Sequence, residues 1–307
     1  MSAKTVISGI LLLDKSQGIS SHSALAKAKF LFKSDSQDSK KAGHTGTLDP
    51  MATGLLPLVF GEATKFAQYG LDADKGYTAT IRLGVATDSG DADGQVIDHQ
   101  AVPSFDQAML DAIADTMTGA QSQIPPMYSA LKKDGKKLYE YARDGIEIVR
   151  APRAITIHHL SLTKLGDDAI SLDVVCSKGT YVRVLGEDIA KRLGTVGHLT
   201  RLHRTMTGGF GVDDAITIDA LDALPMAERL GRLLPIDAML MHLPILAVND
   251  DEAARLKLGQ RLNVKDRVNT LPSFTETCLV RLYADGEFLG LGEVANTGRL
   301  QPKKLVA

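Results

Sequence analysis

The chain has 307 residues, of which 44% are hydrophobic and 23% charged, with a formal net charge of −2 and a pI of about 6.4. This length favours one large domain with a small one, and the composition is typical of a soluble globular protein. The first apolar run, at residues 6–13, is short and interrupted, and no run approaches membrane-spanning length. We therefore expect a cytoplasmic protein with no membrane partner.

Charge is unevenly distributed along the chain. Residues 71–115 carry nine aspartates against two basic side chains, whereas residues 121–153 carry seven basic side chains against four acidic ones. Such a chain can present a basic face to phosphates while staying near neutral, although solvated helix and loop faces would give the same counts. The two cysteines, Cys176 and Cys278, are far apart and fit no metal-binding or redox spacing.

In chain order, the apolar run from Gly9 to Leu13 predicts a strand, and the serines at 20–23 supply N-cap residues for a helix that reaches about Phe32. The next predicted elements are a strand at 55–60, a short helix at 63–69, a strand at 77–83, a glycine- and aspartate-rich loop at 88–98 and a helix at 105–118.

The second half begins with mixed signals at 121–150 and continues with an alternating strand at 170–176. Gly179-Thr180 then turns the chain into an amphipathic helix that ends at Gly194. The sequence predicts a domain boundary between Pro235 and Pro244, and beyond it two apolar runs flank Asp285-Gly286, a strong hairpin signal. Because strands and helices interleave irregularly, the fold class predicted is α+β.

The segment from Gly43 to Pro57 is the most informative part of the chain. It places a single carboxylate, Asp49, in a loop otherwise made of glycines, threonines and one histidine. Pro50 biases Asp49 toward an extended conformation that can project its side chain into a cleft. No lysine follows the glycines, so the loop is not a phosphate-binding P-loop. Taken alone, an aspartate in such a loop is more often a turn residue.

As a whole, the segment resembles the signature of the TruB family of tRNA pseudouridine synthases, G-H-x-G-x-L-D-P-x-A-x-G-x-L-P, with every fixed position filled. The resemblance implies that Asp49 is the catalytic residue and that uridine-55 in the T loop of tRNA is isomerised without a cofactor or a metal. It also implies a mixed, largely antiparallel sheet with flanking helices, followed by a small β-rich PUA-like domain.

A uridine inside folded RNA must be flipped into a pocket before its glycosidic bond can react. Burial there would raise the pKa of Asp49, and we expect a neighbouring arginine to reverse that shift. Arg183 is the candidate, because it lies in the first turn of a helix, where the dipole does not favour a cation. Its segment also resembles the family motif K-G-T-Y-[IV]-R, which pairs Arg183 with the catalytic aspartate. Tyr77 matches the family tyrosine that stacks on the flipped uracil.

Further motifs predict contacts with RNA. His44 is expected to contact the extruded nucleotide. The segment Leu202-His203-Arg204 resembles the family's L-R-R, with His203 departing from the pattern. The resemblance implies that Leu202 closes the pocket and that Arg204 binds RNA.

Two other segments extend the predicted RNA contacts. Leu13-Asp14-Lys15-Ser16 resembles the family's L-D-K-P, with Ser16 in place of proline, and predicts a contact of Lys15 with the RNA backbone. The block at 125–143 also matches the family, and its tyrosines and basic residues suit the gripping of an RNA loop. The residues expected to do so include Tyr128, Lys132 and Arg143.

These observations predict a catalytic domain at 1–243, with an RNA-gripping insertion at about 121–153, and a PUA-like RNA-binding domain at 244–307. The expected partner is the T stem-loop of tRNA, with no obligate protein partner and a monomeric state. An RNA-binding or tRNA-remodelling protein of the same fold is the alternative. A zinc deaminase would need H-x-E and P-C-x-x-C, which are absent, and a glycosidase would need two carboxylates where the signature offers one.

Overall fold

The computed structural model describes residues 4–306. Eight α-helices are found in this range: α1 Ser21–Leu31, α2 Ala67–Asp72, α3 Gln107–Met117, α4 Leu138–Arg143, α5 Val182–Arg192, α6 Ile218–Ala223, α7 Met226–Gly231 and α8 Asp250–Lys257. Short 3-10 helices lie at Gly61–Phe66, Val212–Asp214, Ala238–Leu240 and Lys265–Thr270. Across the same residues, no helix is both long enough and apolar enough to cross a membrane.

The strands range from two to twelve residues in length. They are β1 Thr5–Val6, β2 Gly9–Lys15, β3 Gln37–Asp38, β4 Ala42–His44, β5 Thr53–Phe60, β6 Lys75–Leu83, β7 Val85–Thr87, β8 Val96–His99, β9 Gly119–Gln123, β10 Lys132–Lys133, β11 Lys136–Lys137, β12 Arg153–Lys164, β13 Ala169–Cys176, β14 Gly197–Thr207, β15 Phe210–Gly211, β16 Ile216–Thr217, β17 Ile245–Val248, β18 Leu262–Asn263, β19 Thr277–Ala284, β20 Glu287–Ala295 and β21 Arg299–Leu305.

A ten-stranded mixed sheet forms the centre of the molecule, in the order β16-β2-β5-β14-β6-β13-β12-β9, with β4 paired to β5 and β15 to β14. Only the β16–β2 and β5–β14 pairs within it are parallel. Helices α1, α3 and α5 supply buried side chains to the same large apolar core as these strands. The prediction of an α+β fold with a largely antiparallel sheet is therefore confirmed.

Helix α1 forms as its sequence predicts. Ser20 caps its first turn by accepting a hydrogen bond from the backbone N–H of Ser23, and the helix ends at Leu31 with Phe32 as its C-cap. Helix α5 likewise ends before Gly194, which has a φ of +80°. The predicted loop at 88–98 is shorter than expected, because its last residues join β8.

Residues 244–306 contain a second sheet, in the order β17-β19-β20-β21-β18, around an apolar core of its own. Its hairpin turns at Asp285 and Gly286, which have φ values of +50° and +81°. Two successive positive φ values characterise the type I′ turn that joins antiparallel strands most tightly, so the hairpin prediction is confirmed.

Contacts between residues that precede 244 and residues of the second sheet fix the position of that sheet. Arg281 donates from Nη1 to the Asp237 carboxylate at 2.9 Å, and the Tyr283 hydroxyl donates to the same oxygen. The Arg281 and Asp237 side chains are 6% and 5% exposed. The rings of Phe66 and Phe288 add an edge-to-face contact between the two parts. A buried ion pair left with one partner is costly, so the pair constrains the position of the second sheet.

Candidate active site

The loop that carries Asp49 leaves β4 and returns through β5, two neighbouring strands of the large sheet. The hydroxyl of Ser21, at the start of α1, accepts a hydrogen bond from the Leu48 N–H at 2.8 Å and donates to the Leu48 carbonyl at 2.9 Å. Behind the loop, Gly54 has a φ of +98°, and a Cβ there would lie 2.3 Å from the Arg204 carbonyl oxygen. The loop is thus anchored at its middle and its end, which holds Asp49 in place.

Lys15 also anchors this loop, through a hydrogen bond to the residue that follows Asp49. Its side chain is fully buried, and its ammonium donates to the carbonyls of Ser16, Ile19 and Pro50. Burial lowers the pKa of Lys15 to about 8, against the opposing charge of Asp49. The expected contact of Lys15 with the RNA backbone is corrected by this placement, since an ammonium enclosed by three carbonyls is not offered to a phosphate.

Arg204 is also an internal support rather than a surface residue. It is 1% exposed, and its guanidinium donates to the carbonyls of Leu55 and Gly46 at 2.6 and 3.2 Å. These carbonyls lie on either side of Asp49 in the sequence, so Arg204 ties the two ends of the loop together. The expectation that Arg204 binds RNA is therefore corrected in the same way.

Arg183, in the first turn of helix α5, contacts Asp49. Its Nη2 lies 3.0 Å from Asp49 Oδ2, and the two side chains are 4% and 37% exposed. Arg183 is therefore enclosed, whereas the carboxylate of Asp49 remains accessible from outside. The structure brings together the two residues that the separate motifs paired.

Three further groups fix the guanidinium of Arg183. Its Nε lies 3.5 Å from Asp91 Oδ2, its Nη1 donates to the Ser89 carbonyl at 2.6 Å, and its Nη2 donates to the Tyr128 carbonyl at 2.7 Å. Asp91 is itself 4% exposed and accepts a hydrogen bond from the Ser89 hydroxyl at 2.6 Å. Sequence reasoning does not find Asp91, because it is one of nine aspartates in an acidic stretch and nothing local distinguishes it.

The pKa of Asp49 is raised above its ordinary value, chiefly by burial of the site and further by the charge of Asp91. Arg183 and Lys15 act in the opposite direction without overcoming burial. We expected the arginine to reverse the effect of burial, and that expectation is wrong. Arg183 also faces Asp91, whose negative charge adds to the effect of burial on the pKa of Asp49.

Tyr77 lies on β6, directly opposite Arg204 of the neighbouring strand β14. Its ring is half-buried against the large core, and burial raises the pKa of its hydroxyl while Arg204 opposes the shift. Leu202, further along the same two strands, is 6% exposed and belongs to that core. Both residues therefore lie on the strand pair that also carries Arg204, the support of the catalytic loop.

Two histidines flank the loop. Burial and the neighbouring charge of Arg204 lower the pKa of His44, so its ring is neutral at pH 7. Its Nδ1 is buried and has no hydrogen-bond partner among residues 4–306. His203 instead shares a hydrogen bond of 2.8 Å between its Nδ1 and the Thr53 hydroxyl. This bond ties His203 to the first residue of β5, so its role is structural. The family pattern has an arginine at the position of His203.

The basic insertion forms a small hairpin of β10 and β11 followed by α4. Lys132 is exposed on this hairpin, and the Arg143 guanidinium lies 5.2 Å from the centre of the Tyr139 ring. Tyr128, at the base of the insertion, donates from its hydroxyl to Asp88 at 2.9 Å. Since the Tyr128 carbonyl also accepts from Arg183, the insertion is linked directly to the site.

This arrangement presents one accessible carboxylate, held by one buried guanidinium, beside a half-buried aromatic ring. It suits a reaction in which a single carboxylate attacks or stabilises an electron-poor centre in a flat, uncharged ligand. Asp91 is the second carboxylate of the site, but it is buried and lies behind Arg183. In the described range of 4–306, no cluster of three side chains has the composition of a metal site.

Two family models match the chain. Residues 34–182 match the N-terminal domain of the TruB family pseudouridylate synthases, and residues 244–306 match the C-terminal domain of pseudouridine synthase II TruB. Together these segments carry Asp49, Tyr77, Asp91 and the second sheet.

Several relatives resemble the chain over nearly its whole length. The tRNA pseudouridine synthase B of Psychrobacter cryohalolentis is 49% identical over 99% of this chain and 95% of its own, and that of Aromatoleum aromaticum is 50% identical over 99% and 94%. Among solved structures, a chain of a Cbf5-Nop10-Gar1 complex shares the fold, with a TM-score of 0.70, 23% identity and coverage of 97% of this chain and 84% of that one.

Proposed function

The chain belongs to the TruB family of pseudouridylate synthases, and from this membership we propose that it isomerises uridine-55 in the T loop of tRNA to pseudouridine. One observation supports the proposal most directly: Arg183 lies 3.0 Å from Asp49, and the carboxylate of Asp49 remains accessible. The alternative of a non-catalytic RNA-binding protein is not favoured, since relatives near 50% identity carry the name of the enzyme.

The reaction breaks the N1–C1′ bond of uridine, turns the base and closes a C5–C1′ bond. The proton on C5 is released to solvent and N1 takes up a proton from solvent, so the product keeps its mass. The base has to leave the RNA stack to reach Asp49. In this account Tyr77 compensates for the stacking that the base gives up, which is worth about 1–3 kcal/mol per base. His44, whose Nδ1 is buried and unpartnered within residues 4–306, contacts the flipped nucleotide.

Asp49 supplies the negative charge in the reaction, whether it attacks the sugar, attacks the base or first takes a proton. Arg183 holds that carboxylate in one orientation, because a planar guanidinium fixes its partner more firmly than an ammonium does. Asp91 and the carbonyls of Ser89 and Tyr128 in turn fix Arg183. The energetic contribution of the protein is then preorganisation, since the charged groups need not move during the reaction.

We further propose that residues 1–243 form the catalytic domain and residues 244–307 an RNA-binding PUA-like domain. The separate five-stranded sheet and its own apolar core support this division. Within the first part, the lysines of the β10–β11 hairpin and Arg143 grip the RNA loop. The proposed enzyme acts as a monomer without an obligate protein partner.

The test is mapping of pseudouridine in a transcribed tRNA after incubation with the full chain. We expect a single mass-neutral isomer at position 55 and none in a transcript whose uridine-55 is replaced by cytidine. Isomerisation at another position would contradict the assignment of the T loop, and the absence of any pseudouridine would contradict the activity itself.

A further inference from the structure

A basic groove lies at the C-terminal end of α1, where the helix meets the parallel ladder of β1 and β3. Its cavity measures about 280 Å³. Four lysines, one phenylalanine and a single carboxylate contribute the side chains that define it: Lys4, Lys29, Phe30, Lys33, Asp38 and Lys40. None of these residues takes part in the site around Asp49.

The walls of the groove are fixed by hydrogen bonds of the chain itself. The Ser39 hydroxyl donates to the Lys29 carbonyl at 2.6 Å, and the Ile7 N–H donates to the Asp38 carbonyl at 3.0 Å. Thr5 pairs with Gln37 across the ladder. The groove is therefore formed before any ligand arrives, which reduces the ordering entropy that binding would cost.

Among residues 4–306, no carboxylate forms an ion pair with any of the four lysines. The ammonium groups of Lys29, Lys33 and Lys40 have no ion-pair or hydrogen-bond partner within the described residues 4–306, whereas that of Lys4 donates to the Ser34 carbonyl. The Asp38 carboxylate accepts from the Lys40 backbone N–H, at 2.9 Å. Cations near the C-terminus of a helix stabilise its dipole, which accounts for Lys29 but not for a groove with several unpaired lysines.

Phe30 gives the groove its second property. Its side chain is 74% exposed, although the next two residues, Leu31 and Phe32, are 8% and 0% exposed. An exposed ring among unpaired cations is the combination that binds single-stranded nucleic acid, because a base stacks on the ring while phosphates contact the lysines. A surface that only solubilised the protein would not need the ring.

The groove is separate from the site around Asp49, and helix α1 connects the two. Helix α1 starts at Ser21, which is hydrogen-bonded to Leu48 beside the catalytic aspartate, and ends at Leu31 beside the groove. Eleven residues of α-helix span about 16 Å. A folded RNA bound at Asp49 could therefore contact the groove with a different segment.

We propose that this groove binds a single-stranded segment of the substrate RNA outside the reacting loop, with a base on Phe30 and phosphates on Lys29, Lys33 and Lys40. The proposal rests on the proposed function, since it takes the substrate to be RNA. The groove contributes to affinity and to the choice of RNA, and leaves the chemistry at Asp49 unchanged.

In the experiment, the site around Asp49 of the full chain is first saturated with a T stem-loop RNA. Binding of a labelled oligoadenylate of about twelve nucleotides is then measured. This probe contains no uridine, and its length matches the site sizes of proteins that bind single strands. Phe30→Ala is expected to weaken oligoadenylate binding about tenfold. Lys29→Ala with Lys33→Ala is expected to lower the slope of log K against log salt by about 0.7 for each phosphate that is no longer neutralised. The matched control is Lys191→Ala with Arg192→Ala, at the same end of α5, which should change neither quantity.

Unchanged affinity and salt slope in both groove variants would overturn the proposal. So would a weaker affinity in the lysine variant alone, because the groove would then bind phosphate without stacking a base. Binding to anionic lipid vesicles that depends on Phe30, with oligoadenylate binding unaffected, would identify a membrane surface instead. Pseudouridine formation on the T stem-loop is assayed separately and should equal that of the parent protein in every variant, so failure of the groove and failure of the proposed activity are distinguishable.

Discussion

Asp49 and Asp91 both lie against one guanidinium, Asp49 3.0 Å from Nη2 of Arg183 and Asp91 3.5 Å from its Nε. The carboxylate of Asp49 is accessible and that of Asp91 is buried. Arg183 therefore contacts both the carboxylate proposed to react and a buried carboxylate that supports the arginine. Burial and the negative charge of Asp91 together outweigh Arg183 in setting the pKa of Asp49.

The shared guanidinium leads to the first prediction, that Arg183→Lys is not a conservative change. An ammonium cannot contact both carboxylates and the carbonyls of Ser89 and Tyr128 in one plane. We expect the single-turnover rate of pseudouridine formation at saturating enzyme to fall at least about 100-fold. Arg192→Lys, at an exposed position in the same helix, should keep the parent rate. A parent rate in a folded Arg183→Lys protein would show that planar geometry is unimportant here.

The second prediction concerns Glu187, one helical turn beyond Arg183. Burial, with the nearby charges of Asp188 and Asp91, raises the pKa of Glu187 to about 7 against the opposing charge of Arg183. The folded protein therefore keeps a proton that the unfolded chain releases near pH 4.5, and stability falls as the pH rises between these values.

Glu187→Gln removes that pH dependence. Relative to the parent, we expect the variant to gain up to about 3 kcal/mol in the free energy of unfolding at about pH 8 and little at about pH 5. Urea unfolding at both pH values measures the difference, and Glu228→Gln is the matched substitution at an exposed helical position. An equal effect of Glu187→Gln at the two pH values would contradict the account.

The third prediction separates the four lysines of the β10–β11 hairpin. Lys136 is paired with Asp144, and Lys137 lies 5.3 Å from the Tyr139 ring, whereas Lys132 and Lys133 are exposed without a side-chain partner in the described part of the chain. Lys132→Ala with Lys133→Ala should lower the salt slope of tRNA binding by about 0.7–0.9 for each phosphate left without its cation, and Lys136→Ala with Lys137→Ala by less. Equal slopes in both variants and the parent would mean that the hairpin does not bind phosphates.

The sequence predicts the site best where a motif is continuous along the chain. The signature loop identifies Asp49, and the position of Arg183 at the start of a helix indicates a distant partner. Asp91 could not be found in this way, because its importance comes from a contact with Arg183 across the fold. The support roles of Lys15 and Arg204 escape sequence reasoning for the same cause, since burial of a charged side chain is a property of the packed structure.

Two long strands also escape prediction, for different physical reasons. In β12 the buried residues are Ile155 and Ile157 and then Leu160 and Leu162, and a register shift after Ile157 interrupts the alternation. In β14 the alternation is hidden because polar side chains such as Arg204 are buried as supports of the site. A pattern search that assumes polar residues face solvent fails at both places.

The most direct test of the central claim is Asp49→Asn. The change keeps the shape of the side chain and removes its charge, and asparagine can still make the local backbone bonds of a turn. If Asp49 supplies the reacting charge, the single-turnover rate on a T stem-loop RNA should fall by at least about 10⁴, or near 5.5 kcal/mol of barrier, while RNA affinity and the melting profile stay those of the parent. Appreciable pseudouridine from this variant would contradict the account, and abolished RNA binding with a parent-like melting profile would make Asp49 a recognition residue instead.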